Sequence, residues 1–574
     1  MELKQNEQFL KKAYNRALIP CILSVLSGNV NILADGIIVG QKLGTNALAA
    51  INFSLPVYLV LCIAGSFLVS GMAICASEAI GRNQMDRARK LYQMSVFWCI
   101  ATSAFITVSG LFFLPQLSGL LCPDENIRPL AADYIGVTLA GALPKILIYI
   151  PFWFLRLDGR NGQVTVMMFI MGVGNVVLDL LFLHVFNRGM SGVALASVLS
   201  TALACMLGFI RLCGRKSSFP FGFCIRAEGV SFLDIAKAGS PSAANNLFQT
   251  MRVSAVNALL LHYCGTETVA AFTAINCISA FGESVTGGVP QAASAMLGIY
   301  HGEHDNESIR LLMKRQLKSG IPCALVFSVI IILGADLISA AYGLGISLRF
   351  AFICLSSGII PGLINCVLSS FYNISGSNTW ANLIIFFRVF AMSGLSLFTL
   401  LYFDRSPWMF LFFGEFLTLL FWFAATGVSH GDKSRFLLLD RSLEQSGRVI
   451  NFSVDGDAES ICGASEKITD FCADNGMSPG QTMRISLAME EIMTLIAGKN
   501  ERTVEFDLRV YFLQGVIGIR IRYGGEDFNP LAYTDNDMEY MGIQMIENMC
   551  EQTFYQRTFG TNTVQIFVEG GISA

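Results

Sequence analysis

Charged residues are scarce in this sequence. Asp, Glu, Lys and Arg make up 14% of the 574 residues, whereas apolar residues make up 53% and the mean hydropathy is +0.56. An average soluble domain carries about 25% charged residues. The net charge is −3 and no long basic run occurs, so no nucleic-acid partner is expected. We therefore expect a lipid bilayer to surround most of the chain.

Metal-binding motifs are also lacking. The sequence has 16 cysteines, but none form a C-x-x-C motif, and most lie in apolar runs where cysteine acts as a small hydrophobe. We expect reduced packing cysteines and no metal site. We also expect no cleavable signal peptide, because the charged segment MELKQNEQFLKKAYNR precedes the first apolar run.

Long apolar runs dominate the first three quarters of the chain. A membrane-spanning helix needs about 20 mostly apolar residues, and the run from Asn52 to Ala76 has no charged residue. The sequence predicts twelve such helices. They are centred near Ser27, Ala64, Ala104, Ala142, Met171, Ala202, Gln249, Glu283, Val329, Gly358, Val389 and Leu417.

Basic residues alternate between the loops. Lys and Arg accumulate on the cytoplasmic side of membrane proteins, and the N-terminal segment and most even-numbered breaks are basic, although the break near Gly376 is not. We expect both termini to be cytoplasmic and the protein to lie in the cytoplasmic membrane of a prokaryote.

The two halves of the membrane region resemble each other. A first constant spacing relates the following pairs: Pro20 and Pro241, Gly44 and Gly265, Ala49 and Ala270, Ala50 and Ala271. A second spacing, four residues shorter, relates Ala76 to Ala293, Ser77 to Ser294, Gly81 to Gly298, Gly159 to Gly376 and Asn161 to Asn378. Two six-helix repeats in the same orientation suit a transporter that rocks around a central cavity.

A few polar residues interrupt the predicted helices. Asp35 lies deep in the first, and Asn175 and Asp179 share one face of the fifth at i, i+4 spacing. Buried acids in a membrane usually handle ions or cationic solutes, the alternative being hydrogen bonds between helices. Arg252 and Glu283 are candidate cavity residues, or they pair with each other or with the backbone.

Residues 31 to 57, NILADGIIVGQKLGTNALAAINFSLPV, resemble the first-helix signature of the multidrug and toxic compound extrusion (MATE) family. FLRLDGRNGQ, NVVLDLLFL and GMSGVALASVLST, between residues 154 and 201, resemble its fourth to sixth helices. The first-half details are similar to the branch that includes the DNA-damage-inducible protein F type.

This resemblance implies a cation-coupling cluster of Asp35, Asn175, Asp179 and Ser197 in the first half. It also implies a small-molecule substrate, antiport with H⁺ or Na⁺ and no cofactor. The repeat relates Asp35 to Val256, Asn175 to Met392 and Asp179 to Ser396, so coupling is expected in the first half alone. The chain is expected to be a transporter and not an enzyme.

After residue 430 the composition becomes that of a soluble domain. The sequence predicts a first membrane lobe at 1–220, a second lobe at 221–430, a linker at 431–447 and a cytosolic α/β sandwich at 448–574. Strand-like stretches occur at RVINFSV, TVEFDLRVYF, GVIGIRIRYG and TVQIFVE, with helix-like segments between them. The expected order is strand, two helices, two strands, a short helix and two strands.

RISLAMEEIMTLI, IRIRYGGEDFNPL and MGIQMIENM resemble the GHKL ATPase fold of histidine kinases and anti-sigma-factor kinases. The resemblance implies a damaged nucleotide site. Leu495 stands where the family has the Mg²⁺-binding Asn four residues after the catalytic Glu491, Tyr523 replaces the adenine-reading Asp, and Gly542 remains from the glycine-rich lid. We expect no Mg-ATP, and instead a regulatory role with a cytosolic protein partner.

The sequence thus predicts an all-α polytopic membrane protein of twelve helices with an attached domain of GHKL type. The expected function is cation-coupled efflux of organic, cationic or amphipathic compounds. Two alternatives remain open: a membrane-anchored sensor that uses a transporter fold, and a flippase for lipid-linked substrates, which a lateral groove lined by Arg or Lys would favour.

Overall fold

The computed structural model describes residues 7–122, 125–214, 217–341, 347–429, 448–500, 504–513, 516–532, 550–558 and 561–569. The chain divides into two compact units. One comprises Tyr14–Leu437, called the membrane unit below, and the other comprises Leu438–Ala574 together with Met1–Ala13. The division after Leu437 falls inside the predicted linker.

The first lobe of the membrane unit consists of nine described helices. They are α1 (Glu7–Leu43), α2 (Thr45–Gly81), α3 (Met85–Phe112), α4 (Leu114–Leu121), α5 (Arg128–Ala140), α6 (Ala142–Leu147), α7 (Tyr149–Leu157), α8 (Asn161–Leu180) and α9 (Gly189–Leu212). A π-helical turn, Leu181–Val185, extends α8.

The second lobe consists of eight described helices. They are α10 (Phe232–Cys264), α11 (Thr266–Gly302), α12 (Asn306–Leu333), α13 (Ala335–Ala341), α14 (Arg349–Ile374), α15 (Asn378–Ile385), α16 (Met392–Tyr402) and α17 (Phe410–Ser429). A π-helical turn, Phe386–Ala391, joins α15 to α16, and a 3₁₀ turn, Pro407–Met409, precedes α17.

Nine of the described helical segments are long and apolar enough to cross a membrane, or ten if Arg128–Ala140 and Ala142–Leu157, which meet at a bend of 61°, form one span. The protein is therefore a mostly helical polytopic membrane protein. Two further long helices, α1 and α10, correspond to the first and seventh of the twelve predicted spans, but they do not belong to this set. Both carry polar residues along their middle, such as Asn29 and Gln249.

The repeat is visible in the backbone of the membrane unit. Four turn positions with positive φ recur in both lobes, and these pairs are Gly44 (81°) with Gly265 (84°), Asn83 (59°) with His304 (54°), Gly159 (73°) with Gly376 (76°) and Asn187 (49°) with Asp404 (52°). The second and eleventh helices both have 37 residues, and the third and twelfth both have 28. Because L-residues rarely adopt positive φ, shared positions of this kind indicate equivalent turns.

One sequence register needs correction. The sequence aligned Gly81 with Gly298, but α2 ends at Gly81 and its equivalent α11 ends at Gly302, so the first spacing extends through both helices. Four residues are instead lost later, where the segment Arg128–Leu157 of the first lobe corresponds to the continuous 26-residue α14 of the second. These four additional residues of the first lobe, about one helical turn, lie in a segment that is broken at Gly141 and Ile148.

The two lobes meet along α2, which packs against α10 and α11. Gly81 and Gly302 lie in contact there, since a Cβ atom on Gly81 would overlap the backbone of Ile299. Arg156 of α7 bridges the lobes as well, donating a hydrogen bond to Gln291 Oε1 at 2.7 Å. The contact between Gly81 and Gly302 lies at the C-terminal ends of α2 and α11.

The C-terminal unit is an antiparallel sheet with helices on one face. Its described elements are β1 (Val449–Asp455), α18 (Ala458–Asp474), α19 (Pro479–Lys499), β2 (Glu505–Leu513), β3 (Val516–Tyr523), β4 (Cys550–Thr558) and β5 (Thr561–Glu569). The strand order is β1-β2-β3-β5-β4. The helices begin at the caps Asp457 and Ser478, whose side chains accept backbone N–H bonds.

The core of this unit lies between the helices and one face of the sheet. Alternate residues of β2 and β3, such as Leu508 and Ile519, pack against Ile468 and Ile492 of the helices. All four strand-like stretches of the sequence form strands, and β4 supplies the fifth. The stretch MGIQMIENM, which follows the third strand, lies outside the described residues, and the short helix expected between β3 and β4 stays a prediction.

Candidate functional site

The fifth predicted span, α8, carries the polar pair expected from the sequence. Asn175 Nδ2 donates a hydrogen bond to Asp179 Oδ2 at 3.0 Å, and both side chains are buried, at 1% and 0% exposure. One helical turn separates them, so they form a single polar site on one face of α8. A fully buried carboxylate within a membrane-spanning helix is a costly feature that usually serves a function.

The hydroxyl that completes this pair comes from α9, which packs alongside α8. Ser200 Oγ donates to Asn175 Oδ1 at 3.0 Å. The sequence assigned this role to Ser197, which lies one turn earlier. Ser200 therefore joins the predicted pair, and Ser197 has a different neighbour.

That neighbour is Lys145, a residue that sequence reasoning missed. Lys145 lies on α6, is 7% exposed and donates from Nζ to Ser197 Oγ at 3.3 Å. Its Nζ also lies 5.2 Å from the centre of the Tyr58 ring. The signal was available, because Lys145 lies three residues beyond Ala142, the predicted centre of the fourth span.

Asp35 lies on α1, as predicted. Its side chain lies outside the described residues, so its contacts with the other candidates remain a prediction. Among the described side chains, the first-lobe site comprises Lys145, Asn175, Asp179, Ser197 and Ser200.

The second lobe holds a different polar arrangement. Arg388, in the π-helical turn between α15 and α16, pairs with Glu415 of α17 at 2.7 Å from Nε to Oε1. Asn365 of α14 donates to Glu415 Oε2 at 3.0 Å. The close approach requires Gly362, where a Cβ atom would lie 3.1 Å from the carboxyl carbon of Glu415. The carboxylate of Glu415 is thus stabilised by the guanidinium of Arg388.

Arg252 and Glu283, the candidate cavity residues, lie near this ion pair. Gln249 Nε2 donates to Glu283 Oε1 at 2.7 Å. Glu283, Arg388 and Glu415 all lie within electrostatic reach of Arg252. In the described part of the chain, Glu283 is hydrogen-bonded to Gln249, and no ion pair joins it to Arg252.

Solved structures share this architecture. The membrane unit resembles one titled as the outward-facing conformation of a multidrug resistance MATE family transporter of the MOP superfamily, with a TM-score of 0.67, 21% identity, and coverage of 73% of this chain and 97% of that one. A MOP superfamily transporter from Pyrococcus furiosus, described as having a binding pocket of reverse polarity, gives a TM-score of 0.66 at 22% identity and covers 73% of this chain and 97% of that one. The membrane unit has the MATE transporter fold.

Sequence comparisons agree with the MATE fold. The family model MatE matches residues 20–182. The probable multidrug resistance protein YoeA of Bacillus subtilis is 23% identical over 48% of this chain and 62% of its own length, and the FAD transporter of Shewanella oneidensis is 26% identical over 47% and 62%. The chain thus spans about 62% of the length of these relatives. One of these relatives is thus named as a transporter and the other as a probable multidrug resistance protein.

The structure brings together only some of the candidate residues that the MATE resemblance implied. The structure joins Asn175 to Asp179 directly, and it adds Ser200 and Lys145, neither of which was a candidate. Gly141 explains the approach of α6 to α9, because a Cβ atom there would overlap the side chain of Val198.

The expected nucleotide site lies in the other unit and is occupied by its own side chains. Leu495, at the Mg²⁺-binding position four residues after Glu491, is 3% exposed in the core. Tyr523, at the adenine-reading position, is fully buried and donates from its hydroxyl to the carbonyl of Phe528 at 2.5 Å. Burial raises the pKa of Tyr523 above its ordinary value, so the phenol stays neutral. Gly542 lies outside the described residues.

Proposed function

We propose that this chain is a secondary active exporter that couples the efflux of organic, amphipathic and mainly cationic compounds to H⁺ or Na⁺. The observation that carries the proposal is the buried chain Ser200–Asn175–Asp179 inside a unit with the MATE fold. A buried carboxylate held by neutral amide and hydroxyl groups can bind and release a cation when its surroundings change. No cofactor is required.

The proposed topology has twelve spans with both termini in the cytoplasm of a prokaryotic cell. α1 and α10 are the first and seventh spans. Their polar residues lower the hydropathy but suit a wall that faces a solute cavity, because polar groups in a membrane face the bundle interior or water. In the same topology, the first lobe ends at residue 220, the second lobe at residue 430 and the linker at residue 447.

Alternating access fits the contacts between the lobes. With the N-terminus inside, the ends of α2 and α11 at Gly81 and Gly302 face the cytoplasm, and their close packing closes that side. Transport would then require the lobes to separate there and to close on the opposite side. Arg156 and Gln291 would break their hydrogen bond in that step.

Coupling belongs to the first lobe in this proposal, as in the branch that includes the DNA-damage-inducible protein F type. The second lobe has Met392 and Ser396 where the first has Asn175 and Asp179, and the hydroxyl of Ser396 bonds to the carbonyl of Met392 within its own helix. Glu415 of the second lobe is paired with Arg388.

The surface of the membrane unit favours a flippase for lipid-linked substrates less than it favours an exporter. A lateral groove of about 570 Å³ lies between α1 and α8, within the predicted membrane spans. Its described lining residues are Leu23, Leu26, Ser27, Val30, Thr165, Val166, Phe169, Gly172, Val173, Val176 and Val177. None of these described residues is the Arg or Lys that a phosphate-bearing headgroup would require.

The substrate class is tested by transport in vesicles. Purified protein would be reconstituted and given H⁺ or Na⁺ gradients separately, with a fluorescent organic cation as one substrate. Because one relative is named as an FAD transporter, FAD would serve as an anionic comparison. Gradient-driven movement of the organic cation supports the proposal, whereas movement of FAD alone would overturn the cationic substrate class.

We propose that the C-terminal unit is a degenerate GHKL domain that regulates the exporter or binds a cytosolic protein. The buried Leu495 and Tyr523 support this view, because they replace a metal ligand and a purine acceptor with packed side chains. Titration of the full-length protein with Mg-ATP should give no binding. Saturable binding would contradict the degenerate assignment.

Deletion of residues 448–574 distinguishes the exporter from the alternative, a membrane-anchored sensor. If residues 448–574 only regulate export, their removal leaves gradient-driven transport in vesicles measurable. If transport is absent from the wild type while the deletion abolishes the cellular phenotype, the chain is a sensor.

A further inference from the structure

Lys145 is the one described lysine within the first-lobe site, and its position is unusual. It lies on the short helix α6, is 7% exposed and is three residues from the predicted centre of a span. A charged side chain at this depth is costly and is rarely kept without a functional role.

The extra turn of the first lobe brings Lys145 to this place. The equivalent α14 is continuous, and Gly362 stands there at the position that corresponds to Lys145 by the second register. In the first lobe the chain breaks at Gly141, and the small glycine lets α6 approach Val198 of α9. Lys145 then reaches Ser197, the next residue toward the N-terminus of α9.

A hydroxyl group and an aromatic ring contact the ammonium group. Lys145 Nζ donates to Ser197 Oγ at 3.3 Å, and it lies 5.2 Å from the centre of the Tyr58 ring. An aromatic face attracts a cation through its quadrupole, most strongly where water is excluded.

The ammonium lies one turn of α9 away from the polar chain that includes the carboxylate. Its acceptor Ser197 precedes Ser200 by one turn, and the single hydroxyl proton of Ser200 lies within reach of Asn175 Oδ1, at 3.0 Å, and of the Ser197 carbonyl, at 3.1 Å. Asn175 in turn donates to Asp179. Lys145 and Asp179 are thus neighbouring charged groups of the same lobe.

We infer that Lys145 is a specificity-determining residue that excludes Na⁺ from the first-lobe site and makes H⁺ the coupling ion. This inference rests on the proposed cation-coupled function. A bound Na⁺ would need oxygen ligands, but the hydroxyl oxygen of Ser197 already accepts a bond from Lys145. A second positive charge would also be repelled in a site of low dielectric constant. A proton needs only one carboxylate oxygen.

The test measures Na⁺ binding and transport in the full-length protein. Thermal stability is followed as Na⁺ replaces choline at constant ionic strength, and vesicle transport is driven by H⁺ or Na⁺ gradients. The wild type should show no Na⁺ stabilisation and should use the H⁺ gradient. Lys145→Met removes the charge, and we expect half-maximal stabilisation at an Na⁺ concentration at least about tenfold lower than any effect in the wild type. Lys145→Gln is a second neutral variant should the first not fold.

Two controls separate charge from packing. Lys145→Arg keeps the charge and should remain insensitive to Na⁺, a rescue that a merely structural role would not give. Lys314→Met removes an exposed lysine from α12 and should behave as the wild type. Na⁺ stabilisation or Na⁺-driven transport in the wild type would overturn the inference, as would neutral variants that stay insensitive to Na⁺. If neither gradient drives wild-type transport, the proposed function fails, and the stability measurement still decides whether Lys145 excludes Na⁺.

Discussion

The two lobes share a backbone plan but use buried charge in different ways. In the first, Asp179 accepts a hydrogen bond from the amide of Asn175, which in turn accepts one from Ser200. In the second, Glu415 is bonded at 2.7 Å by Arg388. A carboxylate locked to a guanidinium keeps its charge and its partner, whereas one held by amide and hydroxyl groups can exchange a cation. The lobes therefore differ at these two carboxylates, although Glu283 of the second lobe is bonded, like Asp179, by an amide, that of Gln249.

The largest expected effect comes from Asp179→Asn. The amide preserves shape and hydrogen bonding but cannot take up a proton, so gradient-driven transport should fall to the background of empty vesicles. Asp336→Asn is the matched control, because Asp336 is exposed and pairs with Arg349 at the surface. Normal coupling in Asp179→Asn would show that the lobes do not differ as described.

Glu415→Gln tests the opposite lobe through stability. The change leaves Arg388 largely buried without its charged partner, and breaking such a pair costs about 3–5 kcal/mol. Thermal unfolding should therefore begin at a clearly lower temperature. The double change Glu415→Leu with Arg388→Met should restore most of the loss. If Glu415→Gln instead abolished coupling while the protein stayed stable, the second lobe would also exchange cations.

The two serines of α9 offer a finer test. Ser200→Ala leaves the buried Asn175 oxygen without its hydroxyl donor, at a cost of about 1–3 kcal/mol, and should weaken H⁺-driven transport by about tenfold. Ser197→Ala removes only an acceptor for Lys145, which keeps its contact with Tyr58. Transport rates across external pH would compare the two. A larger loss in Ser197→Ala would restore the assignment made from sequence.

The smallest effect is expected at Ser396, the second-lobe counterpart of Asp179. Its hydroxyl bonds to a carbonyl one turn earlier in the same helix, at 2.6 Å. Ser396→Ala should therefore change stability by no more than about 1 kcal/mol and leave transport unchanged. Loss of transport in this variant would mean that both lobes contribute to coupling.

Much of this comparison could be predicted from the sequence. The positive-φ turns at Gly44 and Gly265 follow from the repeat, and the spacing of Asn175 and Asp179 fixed their shared helix face. The strands of the C-terminal unit followed from alternating apolar residues. These features depend on local periodicity, which a single sequence records directly.

The rest depended on contacts between distant segments. Lys145 reaches Ser197 only because the fourth span is broken at Gly141, and the Arg388–Glu415 pair depends on the space beside Gly362. The misplaced register at Gly81 arose because glycines recur one turn apart at the end of α11, so identity alone favoured the wrong one. The Asp35 side chain and Gly542 lie outside the described residues, and their roles remain predictions.

The central claim is that one carboxylate site in the first lobe exchanges a proton for substrate. Proton release from the purified protein in weakly buffered solution tests it most directly, with substrate added at a pH where transport is active. The account predicts about one proton released per substrate bound in the wild type and in Ser396→Ala, and none in Asp179→Asn. Undiminished release from Asp179→Asn would contradict it.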